Sequence, residues 1–116
     1  MKKYNLNANL TVKDKQLQDT REELIIQFID RMQKFTAEAE RVACDASRPL
    51  EERYEGVKFK TTQLAALADF LQNDMGVEIR ESDGMLVTQK LFNRAYYFET
   101  SLRVEIARKN EAEGLE

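Results

Sequence analysis

No histidine occurs anywhere in this chain of 116 residues. That removes the commonest general base, the commonest metal ligand and every nucleophile arrangement that depends on an imidazole. Cys44 is the only cysteine, so no disulfide can close within the chain and no structural zinc site can be assembled from its usual ligands. Four glycines and one proline argue against a β-sandwich and against long flexible linkers. No glycine-rich phosphate loop and no dinucleotide fingerprint is present. No apolar run approaches the length of a transmembrane helix, and the residues around Lys2 and Lys3 lack the continuous apolar stretch of a signal peptide. An excess of either charge is also missing. Eighteen basic and 21 acidic side chains are interspersed to a net charge of −3, which makes no electrostatic case for nonspecific nucleic-acid binding.

What is present is a charge-rich, helix-forming composition, 42% hydrophobic and 34% charged, at the size of one domain. We read residues 1–114 as a single helical domain and Leu115-Glu116 as an appended tail. The exception to helical rhythm is the opening. Tyr4, Leu6, Ala8, Leu10 and Val12 alternate with polar residues, the pattern of a half-buried strand, and Asn9-Leu10-Thr11 matches a glycosylation sequon that has no use without export. Residues 13–18 read as a polar connector. A first helix is expected over 19–47, opened by a Thr20/Glu23 capping box. Its apolar stripe runs Leu24, Phe28, Met32, Phe35, Ala39, Val42 and Ala46, with Ile25 and Ile29 widening one side.

A second helix is expected over 47–76, capped by Ser47 or Arg48, with Pro49 tolerated in its first turn and Gly76 ending it. Leu50, Tyr54, Val57, Leu64, Leu67, Leu71 and Met75 share a face. The alternation of Val77, Ile79, Met85 and Val87 around Ser82-Asp83-Gly84 predicts a short β-hairpin near 77–87, a partner for the opening strand. A third helix over 88–114 buries Leu91, Phe92, Ala95, Phe98, Leu102 and Ile106. The expected fold is therefore mainly α: a three-helix bundle with an N-terminal β-strand and a short hairpin, a small α+β domain.

Residues that could carry chemistry are few. Glu22-Glu23, Glu38-Glu40 and Glu51-Glu52 are close in sequence but diverge on a helix, and the Glu51/Glu55 pair shares a face without an apolar pocket around it. Cys44 lies near a helix C-terminus beside Asp45, where thiolate formation is opposed. No catalytic residue, cofactor or metal is assigned, and an enzyme is disfavoured. Arg94 and Arg103 among Tyr96 and Tyr97, with Lys2 and Lys3, could hold nucleic acid by stacking and charge, but Glu99 and Glu105 interrupt the stretch.

The more informative feature is surplus apolar surface. Phe59, Ala66 and Phe70 recur opposite the main face of the second helix. Tyr97 and Val104 lie away from the main face of the third, on the side of Leu86. A three-helix bundle buries one stripe per helix, so these second stripes call for another cover: the strand and hairpin, a second copy, or a different protein. The expectation is a small cytoplasmic protein-interaction module, an adaptor, inhibitor or regulatory subunit, forming a homodimer or a hetero-complex through Phe59, Phe70, Tyr97 and Val104. The alternative is a nucleic-acid-associated regulator using Lys2, Lys3, Arg94 and Arg103. No membrane association is expected.

Overall fold

The computed structural model describes residues 12–114, with side chains from residue 19 onward. Three helices account for most of them: α1 over Val12–Ala43, α2 over Leu50–Asp69 and α3 over Val87–Ala112. Long-range polar contacts fix their directions. The Arg53 guanidinium donates to the Ala43 carbonyl at one end (3.0 Å) and that of Arg21 to the Met75 carbonyl at the other (2.8 Å), so α1 and α2 are antiparallel. Thr36 donates to the Leu91 carbonyl (3.3 Å) and Arg94 to Glu40 (2.8 Å), which sets α3 parallel to α1. Gln72 meets Thr88 and Lys109 meets Glu51, so α3 runs antiparallel to α2. The bundle is up-down-up.

The opening strand, residues 1–11 with the sequon, and Lys2 and Lys3 lie outside the described residues. Where that strand was expected to end, at Val12, the backbone is already helical, and so is the expected connector 13–18. The reason is propensity. Lys, Gln and Leu dominate that connector and are strong helix formers, so polarity there marks a helix rather than a break. Thr20 and Glu23 accordingly lie within α1 and not at its start.

The centre of the core is also rotated from the expected stripe. Ile25, Ile29, Met32, Ala39 and Ala43 are buried on α1, while Leu24 is 44% exposed and Ala46 lies beyond the helix on the surface. Phe28, Phe35 and Val42 flank the core, each half-buried. The expected stripe is the flank that faces α2. A helix wedged against two neighbours centres its burial between them, which moves Ile25 and Ile29 to the middle.

On α2 and α3 the expected faces are the observed ones, except that Ile106 is half-buried and stands outside the core. Val57, Leu64 and Leu71 are fully buried, with Leu50, Tyr54, Leu67 and Met75 packed around them. Ala95 and Leu102 are buried on α3, with Leu91, Phe92 and Phe98 alongside. Pro49, not Ser47 or Arg48, is the N-cap of α2, and its carbonyl accepts the first helical bond from Arg53 (3.0 Å). Ser47 is occupied elsewhere, its hydroxyl donating to Asp45 (2.5 Å) within the turn between α1 and α2. Gly56 is where the two helices approach closely: a Cβ there would stand 2.9 Å from Val42 Cγ1.

After Asp69 the helix widens into a π-helical turn, Phe70–Asp74, closed by the Met75 amide donating to the Phe70 carbonyl (2.9 Å). Gly76, at φ 66°, then ends it as expected. Among the described residues there is no strand, and the expected hairpin is reduced to one isolated antiparallel bridge, Arg80 to Leu86. The turn itself is real: Gly84, at φ 85°, donates its amide to the Glu81 carbonyl (2.9 Å). A ladder cannot grow from it because Val87 already opens α3. Val77 is nonetheless buried and Ile79 half-buried, so the alternating pattern reports burial without a sheet.

Candidate protein-interaction faces

All four residues expected to make contacts stand exposed. Phe59, two positions after fully buried Val57, lies about 200° around the helix from it and is 63% exposed. Phe70, on the same outer side, is turned toward α1, with its ring 5.3 Å from that of Phe28. Leu24, Gln27, Phe28 and Arg31 line a shallow hollow of about 100 Å³ there.

The outer side of α3 carries the other pair. Tyr97 is 66% exposed and Val104, about two turns on, is also exposed. The Tyr97 ring meets Phe98 edge-on at 5.4 Å. Two hollows adjoin it. One, of about 210 Å³, lies against the end of α1 and is lined by Cys44, Tyr97, Phe98 and Ser101 among others. The other, of about 310 Å³, includes Tyr97, Thr100, Val104 and Arg108. The structure thus brings Tyr97 and Val104 together and sets Phe59 and Phe70 on one side of α2. It does not merge the two pairs, because the outer sides of two helices in one bundle point apart.

Leu24 and Cys44 belong to these surfaces and were not foreseen as part of them. Leu24 follows from its place about 100° from Ile25 on the helix, once Ile25 is known to be central. Cys44 is exposed and borders Tyr97 only through the parallel packing of α1 and α3, which no local pattern reports.

The basic residues are not gathered into a stripe. Arg94 and Arg103 lie about 180° apart on α3. Arg94 faces α1, paired with Glu40 and placed over the Phe98 ring at 5.5 Å. Arg103 faces α2, paired with Glu99 at 2.8 Å, and hydrogen bonds to Tyr54 and then Tyr96 hold its guanidinium above the ordinary range. Each charge answers a neighbour within the bundle.

The acidic residues are similarly engaged. Lys60 pairs with Glu38 at 2.9 Å while lying over the Phe35 ring at 4.6 Å, and its hydrogen bond holds the Glu38 carboxyl below the usual range. Glu51 is held low by its own backbone amide at the start of α2 and then by Lys109. Among the described residues no group of three acidic or cysteine side chains could hold a metal ion, and no helix is long and apolar enough to cross a membrane. Comparison with protein families, with curated proteins and with solved structures finds no match to this chain.

Proposed function

We propose that this chain is a small cytoplasmic protein-interaction module, an adaptor, inhibitor or regulatory subunit that acts by occupying a surface and not by catalysis. The observation that carries the reading is the placement of Phe59, Phe70, Tyr97 and Val104: large apolar side chains exposed on the outer sides of two helices whose inner sides already fill the core. Isolated apolar residues are ordinary on a surface, but here they recur at helical spacing, and Tyr97 and Val104 adjoin hollows. Aromatic anchors of this kind supply the largest share of binding energy in protein interfaces. The action of such a module is steric or allosteric.

Replacement of all four residues by charged ones tests the reading. The expected result is loss of association, measured as mass in solution, with helicity unchanged by circular dichroism. Collapse of the helices would instead make these residues part of the core and end the proposal. The nucleic-acid alternative has less support, since its two arginines face opposite flanks of α3 and each is paired.

A further inference from the structure

We infer that the outer side of α3 receives the same side of a second copy of this chain, the two helices running antiparallel about a two-fold axis beside Thr100 and Ser101. This rests on the binding reading above and names the occupant of one of its two faces. A two-fold contact pairs residue i with j and j with i, so a candidate face must match itself after a half-turn. Turned about the point between Thr100 and Ser101, Tyr97 meets Val104 of the second copy and Val104 meets Tyr97. Lys90 meets Glu111, Asn93 meets Arg108, and the two small hydroxyl residues meet at the crossing, where they let the helices approach.

The charges choose the direction. In a parallel pairing Lys90 would face Lys90, Arg108 would face Arg108 and Glu111 would face Glu111, each a like-charge contact. Antiparallel pairing replaces every one of these with an opposite or neutral partner. On the flank nearest α1, Glu105 falls beside Arg94 of the second copy, which adds a second carboxylate to a guanidinium already held by Glu40. Among the described residues, α1 and α2 of the same copy lie on the opposite side of α3, so neither stands in the way.

The symmetry also places Cys44. A two-fold perpendicular to antiparallel helices keeps α1 of both copies on one side of the interface. Cys44 shares its hollow with Tyr97, Phe98 and Ser101, level with the axis, so the two exposed thiols stand across from one another near the dyad. The outer side of α2, with Phe59 and Phe70, stays open for a different protein.

Sedimentation equilibrium of the full chain, with site-directed thiol cross-linking, tests this. The unaltered chain is expected to dimerise, Phe59→Glu to dimerise equally, and Tyr97→Glu with Val104→Glu to raise the dimer dissociation constant by about 100-fold or more, as for loss of central contacts on both copies. A short bismaleimide should join Cys44 to its counterpart. In a Cys44→Ser background it should join Ser101→Cys chains but not Asn93→Cys chains, whose thiols would lie about 22 Å apart. These cross-links leave Tyr97 and Val104 untouched, so the test holds even where the double glutamate variant unfolds. A dimer that survives Tyr97→Glu/Val104→Glu and breaks with Phe59→Glu overturns the inference while leaving the binding reading standing. Linkage through Asn93→Cys but not Ser101→Cys refutes the antiparallel arrangement. A monomer at every concentration refutes self-association and confines the binding reading to a different protein as partner.

Discussion

Val57 and Phe59 lie two residues apart on α2, and one is wholly buried while the other is 63% exposed. α3 repeats the contrast with Leu102, buried, and Val104, exposed. The larger side chain of the α2 pair is the one left in solvent. Hydrophobicity alone therefore does not assign a residue to the core; its phase on the helix does, and an apolar residue at the wrong phase is available to something outside the bundle.

The contrast can be broken most forcefully on its inner side. Leu64→Ala should lower stability by about 2–5 kcal/mol through lost burial and a residual cavity, whereas Phe59→Ala should change it by less than about 0.5 kcal/mol. Chemical denaturation of both variants checks this, and a Phe59→Ala loss equal to that of Leu64→Ala would erase the distinction between the two sides.

Arg103 tests the boundary between them. Its partner Glu99 is 7% exposed, so Arg103→Ala leaves a nearly buried carboxylate without its cation and should lower stability measurably in chemical denaturation. The loss should shrink when Glu99→Gln is added, as a double-mutant cycle would show.

Gly56 sharpens the same boundary in the other direction. Alanine there gains about 1 kcal/mol of helix propensity, but its methyl would stand 2.9 Å from Val42 Cγ1. Overpacking of this kind typically outweighs that gain, so Gly56→Ala should destabilise by about 1 kcal/mol. In a Val42→Ala background the same change should stabilise.

The smallest effect lies wholly on the surface. Lys90 bonds to both Asp83 and Glu81, and its hydrogen bond is the main cause that depresses the Asp83 carboxyl below its ordinary 3.8, while the Lys90 amine is raised above its ordinary 10.5. The Asp83 contribution is present above pH 3.8 and fades as pH falls through the depressed value; the Lys90 contribution is present below pH 10.5 and fades as pH rises through the raised one. Thermal melts across pH should show Asp83→Asn flattening the acid limb slightly, and less so in high salt.

Much of this bundle can be read from its residues. The inner faces of α2 and α3, the stop at Gly76 and the turn around Asp83-Gly84 all follow from spacing and from the backbone freedom of glycine. What misled was local pattern without partners. Alternation in 77–87 records burial at Val77, Ile79 and Val87 but not at Met85, which is exposed, and only the early start of α3 shows that no ladder forms there. The stripe on α1 is ambiguous by a little over a quarter turn, because Leu24 and Ile25 are adjacent and both apolar; two neighbours decide between them. The exposed positions of Phe59, Phe70, Tyr97 and Val104 were legible for the converse reason: they lie opposite strong inner faces. Their division into two separate surfaces is a property of the bundle and not of either helix.

The up-down-up arrangement has a kinetic consequence. α1 and α2 are joined by a short turn and first meet only ten positions apart, at Ala43 and Arg53, whereas α1 and α3 meet across long spans, Thr36 reaching Leu91 over 55 positions. Chains rich in local contacts assemble fastest, so the α1–α2 hairpin should form early and α3 should settle onto it late. Leu64→Ala should then slow refolding, while Leu102→Ala should chiefly speed unfolding, a split that stopped-flow chevrons resolve. Until α3 arrives the hairpin presents an open apolar trough, and this is the interval in which a nascent chain is most exposed to sticking to its neighbours.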